Sequence, residues 1–215
     1  MDRTHEQFLD QNYRFQRHVY DLTREYYLLG RNTLIKGLRP PDQGTVFEVG
    51  CGTARNLIRI AEHYPRASLY GIDLSRVMLA TAERALVLRG LRGRISLAHA
   101  DATSFEPRAV FDCARYDRIL FSYTLSMIPD WRAALALAVT HLQPRGSVHI
   151  VDFGTGRDLP VAASTALRSW LDHFHVTPRD GLAAHLDQLA TEFDAELSVA
   201  ALYRSYATYA VLTKR

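Results

Sequence analysis

The chain has 215 residues, of which 47% are hydrophobic and 23% are charged. These values are close to those of average globular proteins, and the length suits one domain with a core of its own. The 26 basic and 23 acidic residues are scattered, so the net charge of +3 includes no dense basic patch of the kind that binds nucleic acid. The sequence has no uncharged apolar run of about 18 residues, and its first residues lack the apolar core of a secretory signal. We therefore expect a cytoplasmic protein that does not span a membrane.

The two cysteines, Cys51 and Cys113, lie in unrelated contexts. Neither belongs to a Cys-x-x-Cys pair or to a His-containing spacing typical of zinc sites. We expect neither a disulfide framework nor a metal ion. Cys51, which lies between two glycines, is interpreted as a small loop residue and not as a nucleophile.

The predicted elements begin after a turn at residues 40–44, Pro-Pro-Asp-Gln-Gly. Residues 1–39 are interpreted as a helical lid and residues 45–215 as the core of a single domain. After the turn, short runs typical of strands alternate with helical runs, which is typical of a parallel sheet with crossover helices. The runs are the strands Val46–Val49, Ser68–Ile72, Arg94–Ala98 and Tyr116–Phe121 and the helices Arg55–His63 and Ser75–Leu88.

In the second half, Asp130 is placed to cap a helix with an apolar stripe. Strand Val148–Phe153 follows, and Pro160 and Thr177-Pro178 mark two further helix starts. Two runs with strand character near the C-terminus, residues 196–203 and 206–212, form an antiparallel pair. The predicted fold is α/β: a Rossmann-like, doubly wound, mostly parallel seven-stranded sheet with an antiparallel C-terminal strand. The helical stripe consists of Trp131, Ala134, Leu135, Ala138 and Leu142.

A glycine-containing loop follows the first strand. The sequence from Glu48 reads Glu-Val-Gly-Cys-Gly-Thr-Ala, with glycines at Gly50 and Gly52. Glycine lets the backbone bend sharply and approach a ligand without a side chain in the way. The dinucleotide motif Gly-x-Gly-x-x-Gly would need a third glycine at Arg55. The glycine pair therefore predicts a ligand loop without identifying the ligand.

Two acidic residues follow the next two strands. Asp73 ends the second strand, 25 residues after Glu48, where its carboxylate can accept both hydrogen bonds of a ribose diol. Asp101 follows the third strand and can accept a hydrogen bond from an adenine amino group. Three strand ends in order therefore converge on one nucleoside. The alternative for Asp73 is a helix-capping role.

The series Glu48-Val49-Gly50-Cys51-Gly52-Thr53, Asp73 and Asp101-Ala102 resembles the class I, Rossmann-like methyltransferase family. The resemblance implies S-adenosylmethionine as cofactor, S-adenosylhomocysteine as product and no metal. A nicotinamide-dependent Rossmann enzyme is the competing interpretation, and it fits Glu48, Ala54 and Asp101 poorly. Ala54 departs from the third glycine of many members, and its methyl group is small enough to leave cofactor binding intact. The predicted cofactor-binding residues are Tyr27, Arg31, Glu48, Gly50, Cys51, Gly52, Asp73, Leu74, Met78, Asp101, Ala102 and Ser122.

Five segments outside the loop point to a more specific group within this family. They are residues 17–31, 122–131, 149–154, 174–179 and 203–206. Together they resemble bacterial betaine-lipid methyltransferases, which convert the amine of diacylglyceryl-homoserine into the trimethylammonium group of diacylglyceryl-N,N,N-trimethylhomoserine. The resemblance implies an N-methyltransferase whose partner is a lipid amine at the membrane surface. We expect a peripheral protein at the inner face of the cell membrane, with the lid and Leu159–His173 as candidate contact surfaces.

Methyl transfer from a sulfonium to nitrogen is an in-line displacement that requires alignment and a neutral amine. A primary amine is mostly protonated at pH 7, so a histidine or carboxylate must accept its proton, directly or through water. Aromatic faces stabilise the fixed cation of the product, and an arginine suits the homoserine carboxylate. The predicted catalytic residues are Asp152, His175, His149 and Tyr123, and the predicted substrate-binding residues are Tyr20, Ser126, Arg204 and Tyr206.

Alternatives remain for these residues and for the function. Each tyrosine can be a core residue with a bonded hydroxyl, and His149 can be a hydrogen-bonded core histidine. A methyltransferase that acts on a soluble small molecule would share every cofactor residue. A nucleic-acid methyltransferase fits less well, because the sequence has no Asn-Pro-Pro-Tyr-like motif for a flipped base. A non-catalytic binding module is the further alternative, since a fold does not establish a function.

Overall fold

The computed structural model describes residues 28–173 and 176–215. Tyr20, Tyr27 and His175 of the predicted site lie outside the described residues. The strands are β1 (Thr45–Val49), β2 (Ser68–Asp73), β3 (Ile95–His99), β4 (Tyr116–Ser122), β5 (Leu142–Phe153), β6 (Ala195–Leu202) and β7 (Ala207–Lys214). The α-helices are α1 (Arg31–Leu38), α2 (Arg55–His63), α3 (Arg76–Leu88), α4 (Pro107–Val110), α5 (Trp131–Thr140), α6 (Val161–His173) and α7 (Leu182–Glu192), and a 3-10 helix covers Leu125–Met127.

The strands form one sheet in the order β3-β2-β1-β4-β5-β7-β6. The pairs among β1 to β5 are parallel, whereas β7 is antiparallel to both β5 and β6. The central strands are buried on both faces, as expected when crossover helices cover a parallel sheet on both sides. The predicted Rossmann-like sheet with an antiparallel C-terminal strand is confirmed.

Two hydrophobic clusters hold the helices on the two faces of the sheet. On one face, α1 contributes Leu34 and α2 contributes Leu57, both fully buried. On the other face, α5 contributes Leu135 and α7 contributes Leu186, which are equally inaccessible to solvent. Because apolar side chains fill both faces, the strand ends are the natural place for a polar ligand site.

The helix starts agree with capping chemistry in two places. The hydroxyl of Ser75 accepts a hydrogen bond from the N–H of Met78 at 3.3 Å, and α3 begins directly after it. Oδ1 of Asp130 accepts from the N–H of Ala133 at 3.1 Å in the first turn of α5. Each cap satisfies an amide that the helix itself leaves without a partner. Both predicted caps are therefore confirmed.

Three predicted boundaries are wrong, and the first is the start of strand Val148–Phe153, which begins at Leu142 as β5. Leu142 does not extend the apolar stripe of α5, because the helix ends at Thr140 and Leu142 pairs with Tyr116 as the first residue of β5. The helix predicted to start at Thr177-Pro178 begins only at Leu182. The intervening residues are instead bound to the backbone of residues 125–128, as described below.

Helix α1, the described part of the predicted lid, is packed against the sheet. A Cβ atom on Gly37 would lie 2.3 Å from the hydroxyl of Tyr209, so glycine allows this close approach. The guanidinium of Arg118 in β4 donates to the carbonyl oxygens of Leu38 at 2.5 Å and Arg39 at 2.9 Å, at the C-terminal end of α1. In the part of the chain that the structure describes, no helix has the length and apolar character needed to cross a membrane.

Candidate active site

A cavity of about 390 Å³ lies at the carboxyl ends of β1, β2, β3 and β4. The order of the sheet reverses between β1 and β4, so the connections from these strands leave on opposite faces and a crevice remains between them. The volume falls in the range of about 300–1,000 Å³ that is typical of small-molecule sites. The cavity therefore lies where doubly wound sheets bind their ligands.

The loop after β1 forms one wall of the cavity. Gly50 and Gly52 have φ of 71° and 54°, in the left-handed region that glycine adopts without strain. A Cβ atom on Gly50 would lie 2.2 Å from Cγ2 of Thr124, so the loop after β4 also requires glycine at this position. Ala54 has φ of 60° although it carries a Cβ atom. Such a conformation costs an alanine roughly 1–2 kcal/mol.

Glu48, at the end of β1, is a buried acid on the cavity wall. Nδ2 of Asn56 donates a hydrogen bond of 2.7 Å to Oε1, whereas Oε2 is buried without a hydrogen-bond partner among the described residues. Burial raises the pKa of Glu48 from 4.5 to about 8. A buried oxygen of this kind is stabilised by a donor, and most strongly by a cationic one, from a ligand.

Asp73, at the end of β2, holds two backbone groups beside the cavity. Oδ2 accepts from the N–H of Gly52 at 2.7 Å, and Oδ1 accepts from the N–H of Ser75 at 2.8 Å. Each carboxylate oxygen has two lone pairs and can accept more than one hydrogen bond. Asp73 therefore fixes the glycine loop and the start of α3 while it lines the cavity.

The loop after β3 also borders the cavity. Oδ1 of Asp101 accepts from both the N–H and the hydroxyl of Thr103 at 2.8 Å, so both of these bonds end on the same oxygen. Leu74, Met78 and Ala102 line the same cavity. A polar carboxylate among apolar side chains suits a flat heterocycle with an exocyclic amino group.

Tyr123, directly after β4, links the cavity to the entry of α1. Its hydroxyl donates to the carbonyl oxygen of Leu29 at 2.5 Å, and its φ of 57° is unusual for a tyrosine. Burial raises the pKa of Tyr123. Leu28 and Arg31, on either side of that carbonyl, both line the cavity. The Tyr123 side chain therefore fixes the wall that these two residues form.

Known proteins share both the sequence and the fold of this region. Residues 46–146 match the family model described as a methyltransferase domain. The crystal structure of the plantazolicin methyltransferase BpumL, in complex with a triazolic desmethylPZN analog and SAH, has a TM-score of 0.72 at 15% identity and covers 97% of this chain and 93% of that one. Residues 46–146 are therefore similar to a methyltransferase domain, and the chain shares the fold of a solved methyltransferase.

Curated relatives match this chain over part of their length. Demethylmenaquinone methyltransferase of Anoxybacillus flavithermus is 31% identical over 102 residues, which are 47% of this chain and 41% of that protein. Trans-aconitate 2-methyltransferase of Azoarcus sp. is 28% identical over 109 residues, which are 51% of this chain and 39% of that protein. The chain thus spans less than half the length of these relatives.

The residues that line the cavity fit S-adenosylmethionine, the cofactor that the sequence resemblance implies. The buried Oε2 of Glu48 lies where a cationic group is needed, and Asp73 and Asp101 offer acceptors at two other strand ends. Every described residue that was predicted to bind the cofactor lines this cavity. They are Arg31, Glu48, Gly50, Cys51, Gly52, Asp73, Leu74, Met78, Asp101, Ala102 and Ser122, together with the predicted catalytic Tyr123.

Asp152, predicted to be catalytic, is not among the residues that line the cavity. Its side chain is 1% exposed, and its oxygens accept from the N–H of Phe153 at 2.8 Å and the N–H of Ser126 at 3.2 Å. Burial raises the pKa of Asp152 from 3.8 to about 6. Ser126, predicted to bind substrate, is also buried away from the cavity wall. The two residues contact each other behind the wall.

His149 lies within the core on β5. Nε2 is 2.8 Å from the hydroxyl of Ser147, and Nδ1 is 3.4 Å from the hydroxyl of Tyr209. Burial lowers the pKa of His149 from 6.5 to about 3, so the ring is neutral at physiological pH. The residue does not line the cavity. Its position favours the alternative of a hydrogen-bonded core histidine over a proton acceptor.

The two predicted substrate residues of the β6–β7 turn also lie off the cavity wall. Arg204 is exposed and has φ of 55°. Tyr206 is half-buried, and its ring lies 6.1 Å from that of Phe153. Phe153 in turn contacts Tyr123, with ring centroids 4.7 Å apart. Tyr206 thus belongs to an aromatic cluster behind Tyr123, not to the wall itself.

Sequence reasoning missed two residues that shape the site. Asp130 was assigned only as a helix cap, and the structure also places it on the cavity wall. Arg179 binds the backbone of the loop after β4 from a segment that is remote in sequence. The cavity-wall position of Asp130 could have been predicted from the sequence, because an acid stands there at the start of the helix that follows β4. Arg179 has no comparable signal, because its partners are backbone carbonyls.

Proposed function

We propose that this protein is a methyltransferase that transfers a methyl group from S-adenosylmethionine to an amine, and that the amine is the homoserine amine of diacylglyceryl-homoserine. The observation that carries the preference for an amine is Asp130, a carboxylate on the part of the cavity wall formed by the loop after β4. A carboxylate attracts the ammonium group of the zwitterionic homoserine headgroup more than it repels the headgroup's own carboxylate when the ammonium group lies nearer, and it repels an acceptor of net negative charge. The lipid assignment rests on the sequence resemblance.

The residues at the ends of β1, β2 and β3 would hold the cofactor. Glu48 and Arg31 would bind its amino and carboxylate groups, Asp73 the ribose diol and Asp101 the adenine amino group. S-adenosylmethionine supplies an electrophilic methyl group on a sulfonium when it is bound. The loop after β4 is then the wall left for the acceptor, and Thr124, Met127, Ile128, Pro129 and Asp130 line it.

This wall combines one charge with an apolar rim. Met127 and Ile128 are half-buried, and Pro129 and Asp130 are exposed at the mouth. Asp130 would bind the ammonium form of the acceptor and then accept its proton, directly or through water, so that the nitrogen lone pair is free to attack. The apolar rim suits an amine attached to a glycerolipid. The face of Tyr123 would stabilise the cationic product by about 0.5–2 kcal/mol.

A lipid acceptor requires a protein that reaches the membrane surface. Helix α6, within the predicted contact surface, begins with Val161, whose side chain is 82% exposed. The exposed face that follows consists mainly of small residues, including Ala162, Ala163 and Ala166, with Arg168 as its basic residue. Val161 and Arg168 are the groups on this face that would contact the apolar and the anionic parts of a bilayer. We propose that α6 faces the bilayer.

A soluble small molecule is the second candidate acceptor. Two relatives that match the chain are named for trans-aconitate and for demethylmenaquinone. An acceptor rich in carboxylates fits poorly beside Asp130, whereas a neutral ring compound would tolerate it. The cofactor residues are the same for all of these acceptors, so only the acceptor itself distinguishes them.

The test is to incubate the protein with methyl-labelled S-adenosylmethionine and either total bacterial lipid or a soluble extract. We expect label in a homoserine lipid, and label found only in soluble compounds would overturn the lipid assignment. The variant D130N is the matched probe, because asparagine also caps helices well but carries no charge. It should raise the KM of an amine acceptor roughly tenfold while the affinity for S-adenosylhomocysteine stays unchanged. An unchanged KM would show that Asp130 does not select the amine.

A further inference from the structure

The loop after β4 is held from behind by a group that the proposed chemistry does not use. Nε of Arg179 donates to the carbonyl oxygen of Leu125 at 2.9 Å. Nη2 donates to the carbonyl oxygens of Ser126 and Ile128 at 3.3 and 2.8 Å. The N–H of Thr177 adds a bond of 3.2 Å to the same Ser126 carbonyl. One guanidinium thus binds three carbonyls within four residues of backbone.

The opposite side of the same backbone is held by Asp152. Its Oδ2 accepts from the N–H of Ser126 at 3.2 Å, and its Oδ1 accepts from the N–H of its neighbour Phe153 at 2.8 Å. The charge of Asp152 also raises the pKa of Arg179, although burial has the larger and opposite effect. Ser126 therefore lies between a carboxylate that accepts from its N–H and a guanidinium that donates to its carbonyl.

The clamped backbone continues directly into the acceptor wall. Met127, Ile128 and Asp130 line the cavity, whereas Arg179 and Asp152 do not. The last carbonyls of a short 3-10 helix lack partners within the helix, so a fixed external donor decides where the chain turns next. A guanidinium is suited to this because its donors are fixed in one plane, unlike those of an ammonium group.

We propose that Arg179, together with Asp152, is a positioning residue that sets the shape of the acceptor wall and thereby acceptor binding. This inference rests on the proposed function for the identity of the acceptor side. Neither side chain touches the acceptor; both act through the backbone of residues 125–128. Loss of the forked donor should therefore alter acceptor kinetics while the cofactor end, built from β1, β2 and β3, stays intact.

The test variant is R179K, which keeps the charge but loses the planar fork. Its matched control is R94K, because Arg94 also binds three carbonyls, those of Ala61 at 3.1 Å, Tyr64 at 3.0 Å and Ala67 at 3.3 Å, at the far end of α2. R179M, which keeps the aliphatic stem, is the second variant if R179K does not fold. The measurements are kcat and KM for the methylated acceptor, the Kd of S-adenosylhomocysteine and amide hydrogen exchange of the cofactor-free protein.

We expect R179K to raise the acceptor KM roughly tenfold or more, with the Kd of S-adenosylhomocysteine within about twofold of the wild-type value. R94K should lower stability without changing the acceptor KM. The amides of Met127 and Ile128, which both bond to the carbonyl of Thr124, should exchange faster in R179K and not in R94K. Unchanged acceptor kinetics, or an equal loss of cofactor affinity, would overturn the inference. If no acceptor is methylated, the proposed function fails, and the exchange of these two amides still decides whether Arg179 holds the loop.

Discussion

Replacing Glu48 with glutamine should stabilise the cofactor-free protein at neutral and alkaline pH. In the unfolded chain this carboxyl loses its proton near pH 4.5, whereas burial keeps it protonated in the fold up to about pH 8. Between these values the folded state holds the additional proton, so the free energy of unfolding falls as pH rises. At 1.36 kcal/mol for each tenfold change in proton affinity, the wild-type protein loses about 3 kcal/mol by pH 7 and about 5 kcal/mol above pH 8.

Urea unfolding of wild-type protein and E48Q, followed by circular dichroism from pH 5 to pH 9, measures this difference. The two proteins should have similar stability at pH 5 and diverge as pH rises, with E48Q the more stable. E62Q is the matched control, because Glu62 lies on the exposed side of α2 and its loss removes the same charge. Parallel profiles for wild type and E48Q would refute the assignment of a destabilising buried acid.

Cofactor binding should reverse the effect of this acid. A cationic amino group beside Oε2 of Glu48 favours the ionised carboxylate, so binding should release about one proton at pH 7. Calorimetric titration with S-adenosylhomocysteine in two buffers of different ionisation enthalpy counts this proton. E48Q should bind more weakly and with less proton release. Equal proton release in both proteins would place the cationic group elsewhere.

Three further variants test individual positions. A54G should change the free energy of unfolding by no more than about 1 kcal/mol, because relief of the left-handed strain offsets the loss of a buried methyl group. A loss of stability above about 2 kcal/mol in urea unfolding would contradict this expectation. Y123F should cost about 1 kcal/mol of stability and weaken S-adenosylhomocysteine binding several-fold, since the Leu29 carbonyl loses its donor; calorimetry that shows wild-type affinity would separate this bond from the site. D152N should retain more than about a tenth of wild-type turnover, because the amide oxygen can still accept from the N–H of Ser126, although the amide nitrogen then faces the N–H of Phe153. A fall of about a hundredfold or more in kcat, with unchanged exchange of the Met127 and Ile128 amides, would assign the role of general base to Asp152.

Much of the site was predictable because its residues follow strands in sequence order. In a parallel sheet, carboxyl ends of neighbouring strands share one edge, so Glu48, Asp73 and Asp101 meet without any knowledge of side-chain packing. The same logic does not place Asp152 on the cavity wall. Asp152 also ends a parallel strand, but its side chain points to the backbone of Ser126 and not into the cavity.

Polarity within an apolar strand does not by itself indicate function. His149 lies in a strand beside Ser147, and the pattern alone allows either a ligand-facing ring or a satisfied core residue. The structure favours a core residue because the hydroxyls of Ser147 and Tyr209 lie within hydrogen-bond distance of the ring nitrogens. Tyr209 belongs to a strand 60 residues later in the chain. Hydrogen-bond partners of this kind appear only when the strands are paired.

By itself, the sequence determined the order and type of the central elements, the glycine loop and the three acids at successive strand ends. These features are local properties, because strand and helix periodicity, helix caps and glycine positions depend on residues close together in the sequence. Only the tertiary structure decided that Asp130 faces the cavity, that His149 belongs to the core, and that Arg179 holds a loop more than fifty residues away. These roles depend on contacts between distant segments, and a backbone carbonyl that accepts a hydrogen bond leaves no mark in the residue that carries it.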